Sequence, residues 1–464
     1  MASSPSVFFE APSKSLFSFP PSSDPRPIPP PHFNVPFTIP DGLFTAALDP
    51  KVPITIAATY AISAKLLNSY NKSNGKKPWG ISKTAPFRIF VILHNVFLAV
   101  YSAWTFVGML GALRRSIVSP TGPNGWAGTV DSFCKLNGPA GLGNAATYYQ
   151  EQNAWETSPS RVDAGRLWNE GLAFYGWIFY LSKFYEVLDT FIILAKGKLS
   201  STLQTYHHAG AMMCMWAGIR YMSAPIWMFA FVNSFIHAMM YTYYTVTAFN
   251  IRVPTAIKRS LTTMQITQFL VGASYAMIHS FVYYTIPVHV ATSKPASAVS
   301  EAVAAATESA AAGGLLDSLK QAVFGAAEAA NGAAVVSSQE AGSAAVFYER
   351  QYRAVPCITT AGQTFGIWLN VFYLAPLTYL FVSFFIASYI KRSSVETKRI
   401  RAEEKTADRR LSNAMINAEK AGWDAARGLE KEVYGQGSES AIVEEDVPAS
   451  GNPRALRSRN GKKN

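Results

Sequence analysis

Three charged residues recur at every third position in one apolar stretch: Lys183, Glu186 and Asp189, with Thr190 directly after them. Spacing by three sets them along one side of a helix. Gln204, His207 and His208 follow, and the adjacent histidines point about 100° apart on a helix. Asn233, His237, Tyr241 and Tyr244 stand at i, i+4, i+8 and i+11, forming one polar-aromatic face. Thr262, Gln265 and Phe269 share a face further on, with Gln268 beside them. Imidazole titrates near neutral pH, so the histidines suit acid-base or nucleophilic catalysis. The charged stripe either supports such chemistry or only neutralises itself against the rest of a helix bundle.

Metal chemistry fits less well. The chain has seven histidines, His32, His94, His207, His208, His237, His279 and His289. A membrane di-iron oxygenase site needs more histidine ligands than these, since His32 and His289 lie outside the apolar blocks. A single ion on His207, His208 and His237 lacks carboxylate or Cys ligands at metal spacing. No metal and no resident cofactor are therefore expected. Cys214 lies two helical turns beyond His207 and reads as a core residue, which argues against thiol chemistry.

These residues need a scaffold, and composition indicates which. Of 464 residues, 49% are hydrophobic and only 15% charged, against about 25% charged in a soluble protein. Mean hydropathy is only +0.10, so the apolar residues must be concentrated in blocks. The blocks run over 52–67, 89–111, 172–195, 203–219, 225–249, 263–287 and 366–390. A bilayer-spanning helix needs roughly 20 apolar residues. The first block is short and holds Lys65, but seven spans is the count adopted. The fold class is all-α: a polytopic membrane protein of about seven transmembrane helices around a buried tunnel. Around it lie a Pro-rich, disordered arm (1–42), an Ala-rich low-complexity insertion (288–364) within the seven-span domain (43–390), and a charged tail (391–464).

A net charge of +12 raises nucleic acid or an anionic membrane as partner. Its distribution favours the membrane. Loops 68–88, 196–202 and 250–260 carry ten bases and no acids, whereas loops 112–166 and 288–364 are nearly balanced or acidic. The positive-inside rule then sets the N-terminus in the lumen and the C-terminus in the cytosol. Cys134 and Cys357 fall in the two long luminal loops. A shared oxidising compartment permits a disulfide, two free thiols being the alternative. At about 1.5 Å per residue, Lys183 and His237 lie roughly 18 Å from the cytosolic ends of their spans and His207 roughly 6 Å. All four polar clusters thus occupy one chamber, open to the cytosol, suited to a substrate with a polar head and a long apolar chain.

Residues 183–269 resemble the fatty-acid elongase family of the endoplasmic reticulum, the seven-span 3-ketoacyl-CoA synthases. Lys183, Glu186, Asp189 and Thr190 match its K-x-x-E-x-x-D-T box, and His207 and His208 the end of its H-x-x-H-H box. Asn233, His237, Met240, Tyr241, Tyr243 and Tyr244 match N-x-x-x-H-x-x-M-Y-x-Y-Y, and Thr262, Gln265 and Gln268 match T-x-x-Q-x-x-Q. His94-Asn95 is also similar to the family. Gln204 replaces the first histidine of the second box, a variant resembling elongases of polyunsaturated acyl chains.

The resemblance implies condensation of acyl-CoA with malonyl-CoA, giving 3-ketoacyl-CoA, CoA and CO2 through an acyl-imidazole. His207 would be the nucleophile, His208 and His237 acid-base or oxyanion-stabilising groups, and Asn233 would orient the imidazole. Lys183, Glu186 and Asp189 would hold the chamber together. Lys196, Lys198, Arg252, Lys258 and Arg259 are either CoA-phosphate ligands or simply the topology signal. The resemblance also implies other elongation-cycle enzymes as partners, with a homodimer as one assembly. Lys462-Lys463-Asn464 resembles a displaced dilysine retrieval signal. The rival from another class is a seven-helix receptor or transporter that binds a lipid without chemistry. No internal repeat of the transporter kind is present in the sequence.

Overall fold

The computed structural model of the chain describes residues 4–149, 154–156, 162–293 and 346–386. It is mainly helical. After α1 (Asp41–Ala47) come α2 (Lys51–Ser73), α3 (Ala85–Ser116), the short α4 (Gly125–Cys134), α5 (Ala173–Tyr185) and α6 (Val187–Ala195). Then follow α7 (Thr202–Arg220), α8 (Ile226–Met228), α9 (Ser234–Ala248), α10 (Thr255–His279) and α11 (Ala361–Phe385). Glu186 alone separates α5 from α6, and a π-turn over Phe229–Asn233 joins α8 to α9. Seven long helical segments thus stand side by side among the described residues. Two helices among the described residues, Ala85–Ser116 and Ala361–Ser383, are long and apolar enough by themselves to cross a bilayer.

Local chemistry sets several boundaries. Thr84 caps α3 by accepting from the Phe87 N–H, with Pro86 in the first turn. Ser201 caps α7 by accepting from the Gln204 N–H. Thr360 and Gln363 form a reciprocal capping box at the start of α11.

Helical segments consecutive in the chain alternate in direction, so the connections fall at two ends. At one end the stretches 68–88 and 196–202 meet: the Asn71 amide donates to the carbonyls of Leu194 and Lys198, and the Trp79 N–H to that of Ala195. Gly197 makes this approach feasible. Its φ is +76°, and a Cβ there would strike the backbone of Lys76 and Lys77. α5 occupies the middle, with every residue from Ala173 to Tyr180 buried.

The far end carries a sheet, which corrects the all-α expectation. β4 (Val282–Ser293) pairs antiparallel with β5 (Val346–Pro356), and β1 (Val7–Phe9) adds to its other edge. A second hairpin joins β2 (Thr147–Tyr149) to β3 (Ala154–Glu156). The apolar block 263–287 therefore divides: the helix stops at His279, and Val282–Val288, rich in β-branched and aromatic residues, is strand. Cys134 and Cys357 are disulfide-bonded, tying α4 to the chain just after β5. Beneath the sheet, Arg166 pairs with Asp131 at 2.7 Å, and the Tyr284 hydroxyl donates to the same carboxylate at 2.7 Å.

The N-terminal arm also differs from a disordered chain. Ile28 and Ile39 are buried, the Phe33 ring stacks on Tyr175, and Arg220 donates to the Ser23 carbonyl. Its prolines need no backbone donors, so it lies against the bundle through its few apolar side chains. A cavity of about 440 Å³ lies beneath it, bounded by Phe33, Phe37, Trp168 and Phe174. The Ala-rich stretch between β4 and β5 and the charged tail with Lys462 and Lys463 lie outside the described residues.

Candidate active site

α5, α6 and α9 run parallel and meet in three rungs. Lys183 Nζ donates to the Asn233 side-chain oxygen at 3.3 Å. His237 Nδ1 lies 3.6 Å from Glu186 Oε1, beyond ordinary hydrogen-bond length. The Tyr241 hydroxyl donates to Asp189 Oδ2 at 2.6 Å. The i, i+3, i+6 stripe of one helix thus faces the i, i+4, i+8 stripe of the other.

The stripe is internally paired as well. Lys183 Nζ donates to Glu186 Oε1 at 2.6 Å, and Ser182 donates to the same oxygen at 2.9 Å. Lys183 and Glu186 are 3% and 2% exposed, and the ammonium also lies 4.0 Å from the centre of the Phe179 ring. Two unlike charges so deeply buried persist only when paired and hydrogen-bonded. Asp189 is held from its other side by His94 Nε2 of α3 at 2.8 Å. Thr190 shares a hydrogen bond with Tyr60 of α2 at 2.8 Å.

α7 supplies the histidine pair. The rings of His207 and His208 are 5.4 Å apart. His208 is buried edge-on to Tyr60, whereas His207 turns toward α10 and α11, near Phe269 and Tyr373. The Glu186 carboxylate interacts electrostatically with Lys183, His237 and His208, and His207 with all four of these groups. Imidazoles from two helices therefore lie within electrostatic reach of one charged pair, His237 being the one in near contact with it.

The other motif residues frame this centre. Gln268 accepts from the Asn233 amide at 3.3 Å, and Gln265 lies against Met240 Sδ at 3.4 Å. Tyr244 packs edge-on to Tyr241. Gln204 opens α7, its side-chain oxygen buried and without a hydrogen-bond partner among the described residues. Asn233 departs from its expected role: its amide bridges Lys183 and Gln268 and, among the described residues, bonds no imidazole. The imidazole of His207 is held instead by Tyr373, its Nδ1 and the hydroxyl 2.9 Å apart. Sequence reasoning passed over Tyr373 and Tyr60. In each helix the phenol is one polar group among several, so its type alone did not single it out.

The basic candidates lie outside this centre. Lys196 and Lys198 occupy the link from α6 to α7, and partial burial, then the neighbouring Lys196 charge, lower the pKa of Lys198. Arg252 precedes α10, Lys258 lies in its first turn, and Arg259 stacks over Phe385. No group of three His, Cys, Asp or Glu arranged to hold a metal occurs among the described residues.

Comparison with known proteins adds a family. The model of the GNS1/SUR4 family, ELO, matches residues 45–397. The chain is 28% identical over 233 residues to very long chain fatty acid elongase 7 of Drosophila melanogaster, covering 49% of this chain and 56% of that protein. It is 30% identical over 185 residues to fatty acid elongase A of Dictyostelium discoideum, covering 40% and 54%. To very long chain fatty acid elongase 3 of Homo sapiens it is 32% identical over 110 residues, covering 24% and 41%. The chain thus spans about half the length, or less, of these curated relatives. The family match covers most of the bundle and every residue of the histidine centre: the chain belongs to the ELO (GNS1/SUR4) family of membrane proteins.

Proposed function

We propose that this protein is a fatty-acid elongase that condenses an acyl-CoA with malonyl-CoA, releasing CoA and CO2 and forming 3-ketoacyl-CoA. The observation that carries the reading is the meeting of the His207–His208 pair with His237 around the buried Lys183–Glu186 pair. His207 attacks the thioester carbonyl, and CoA departs as the acyl group passes to the imidazole. Malonyl-CoA then enters, loses CO2, and its carbanion takes the acyl group from His207. His208 and His237 polarise the carbonyl oxygen or move protons, and the Lys183–Glu186 and Asp189–Tyr241 contacts keep α5, α6 and α9 in register.

Seven membrane spans, residence in the endoplasmic reticulum, a luminal N-terminus and a cytosolic C-terminus belong to the same proposal. The ten bases of loops 68–88, 196–202 and 250–260 support that orientation. Lys196, Lys198, Arg252, Lys258 and Arg259 bind the CoA phosphates at the cytosolic mouth, and Gln204 favours polyunsaturated donors. Other enzymes of the elongation cycle are the natural partners, acting on the 3-ketoacyl product.

The test is purified protein offered saturated, monounsaturated and polyunsaturated acyl-CoAs with labelled malonyl-CoA. Labelled 3-ketoacyl-CoA, formed fastest with a polyunsaturated donor, is the expected product. Absence of product with every donor would overturn the elongase reading, and equal rates would remove the role given to Gln204.

A further inference from the structure

Tyr373 lies in α11, more than 100 residues beyond the last of the motif boxes. Its hydroxyl makes two contacts with one residue of α7. The oxygen is 2.9 Å from His207 Nδ1 and 2.9 Å from the His207 backbone carbonyl oxygen. A phenol has one hydrogen to donate, and a carbonyl can only accept. Both contacts are hydrogen bonds only if the phenol hydrogen goes to the carbonyl and the phenol oxygen accepts Nδ1–H. The reverse assignment, O–H to Nδ1, sets two oxygens 2.9 Å apart with no hydrogen between them. Neutral His207 therefore carries its proton on Nδ1, which leaves the Nε2 lone pair bare. Among the described residues Nε2 has no hydrogen-bond partner.

The seat of Tyr373 is built for this contact. Gly210 lies one turn beyond His207, and a Cβ there would run into the Tyr373 ring. The Tyr206 hydroxyl donates to the Tyr373 carbonyl at 3.1 Å, and the two rings stand 5.4 Å apart. Tyr206, His207 and Gly210 of α7 thus all meet one residue of α11.

We propose that Tyr373 is a positioning residue that selects the Nδ1–H tautomer of His207 and so makes Nε2 the atom that takes the acyl group. The inference rests on the elongase reading for its chemistry, but the tautomer itself does not depend on it. In acyl transfer the Nε2 lone pair attacks the thioester carbonyl carbon, and the C–S bond breaks with its electron pair left on the sulfur of CoA. The Nδ1 proton stays in place, so the intermediate is an acyl-imidazolium hydrogen-bonded to the Tyr373 oxygen. Malonyl-CoA loses CO2, the electron pair of the broken C–C bond forms the new bond to the acyl carbon, and the C–N pair returns to Nε2. His207 ends the cycle in the tautomer in which it began, with no proton moved on or off its ring.

The experiment pairs a spectrum with a half-reaction. Full-length protein with ¹⁵N-labelled histidine is placed in lipid nanodiscs, and the His207 signals are assigned by their loss in His207→Gln. The expected spectrum has Nδ1 protonated and Nε2 bare. In Tyr373→Phe, which keeps the ring against Gly210, the signals move toward the other tautomer. CoA release from acyl-CoA without malonyl-CoA slows roughly tenfold, the population factor that one ordinary hydrogen bond supplies, at unchanged half-saturation. Protonated Nε2 in the wild-type spectrum would overturn the inference whatever the variant does. So would a Tyr373→Phe protein that releases CoA at the wild-type rate. A wild-type protein that releases no CoA would defeat the elongase reading instead, and the tautomer would still be read from its spectrum.

Discussion

The buried Lys183–Glu186 pair should unfold the bundle when halved and spare it when removed whole. At 2.6 Å and an effective dielectric near 20, its Coulomb attraction is about 6 kcal/mol, most of it offset by the desolvation of both ions. Glu186→Leu leaves the ammonium with only the Asn233 oxygen and the Phe179 ring, and Lys183→Met leaves the carboxylate with only the Ser182 hydrogen bond. Breaking such a pair from one side costs about 3–5 kcal/mol. The double variant Lys183→Met/Glu186→Leu strands no charge. It loses the hydrogen bonds to Asn233 and Ser182, together about 2 kcal/mol. A double-mutant cycle should thus show favourable coupling of about 4 kcal/mol or more. The assay is unfolding of detergent-solubilised protein followed by tryptophan fluorescence. Single variants costing under about 1 kcal/mol and adding in the double would mean a hydrated pair and refute its burial in the bundle.

Three further outcomes follow from named contacts. Tyr241→Phe removes the hydroxyl that holds Asp189 Oδ2 and should cost about 1.5–3 kcal/mol by the same unfolding assay, with His94 still bonded to Oδ1. Cys134→Ser and Cys357→Ser, alone or together, should each lower stability by about 2–5 kcal/mol, and reductant should affect the wild type only. Lys135, buried beneath the sheet and donating to the Pro356 and Cys357 carbonyls, has its pKa pushed down by burial from 10.5 to about 7. The unfolded chain binds that proton up to its ordinary pKa and the folded chain does not. Stability should therefore rise from about pH 7 toward pH 10 by up to about 1.4 kcal/mol per unit, and Lys135→Met should flatten the rise.

Much of the candidate site is written in the sequence because side-chain period and helix geometry coincide. Lys183, Glu186 and Asp189 fall on one face whatever else the chain does, and so do Asn233, His237 and Tyr241. Their meeting as three rungs was not legible, since it depends on α5, α6 and α9 running parallel. Asn233 shows the consequence: the family resemblance implied an imidazole partner, whereas packing gives it Lys183 and Gln268. Tyr373 was hidden for the opposite reason. Its partner lies 166 residues away, and nothing in the period of an apolar helix marks one tyrosine among several aromatics. The first half of the strand Val282–Ser293 was absorbed into the apolar block 263–287 because hydropathy alone does not distinguish helix from buried strand, and the second half into the Ala-rich insertion. Ile28 and Phe33 were too few to reveal that a Pro-rich arm lies on the bundle.

The most direct test of a histidine nucleophile is to trap the intermediate. Full-length protein is mixed with acyl-CoA in the absence of malonyl-CoA, quenched, digested and analysed by mass spectrometry. One acyl group on the peptide containing His207, matched by one CoA released and chased off as 3-ketoacyl-CoA when malonyl-CoA is added, is the expected result. An acyl group on Cys214 or any other side chain, or an unchanged adduct in His207→Ala, would contradict it.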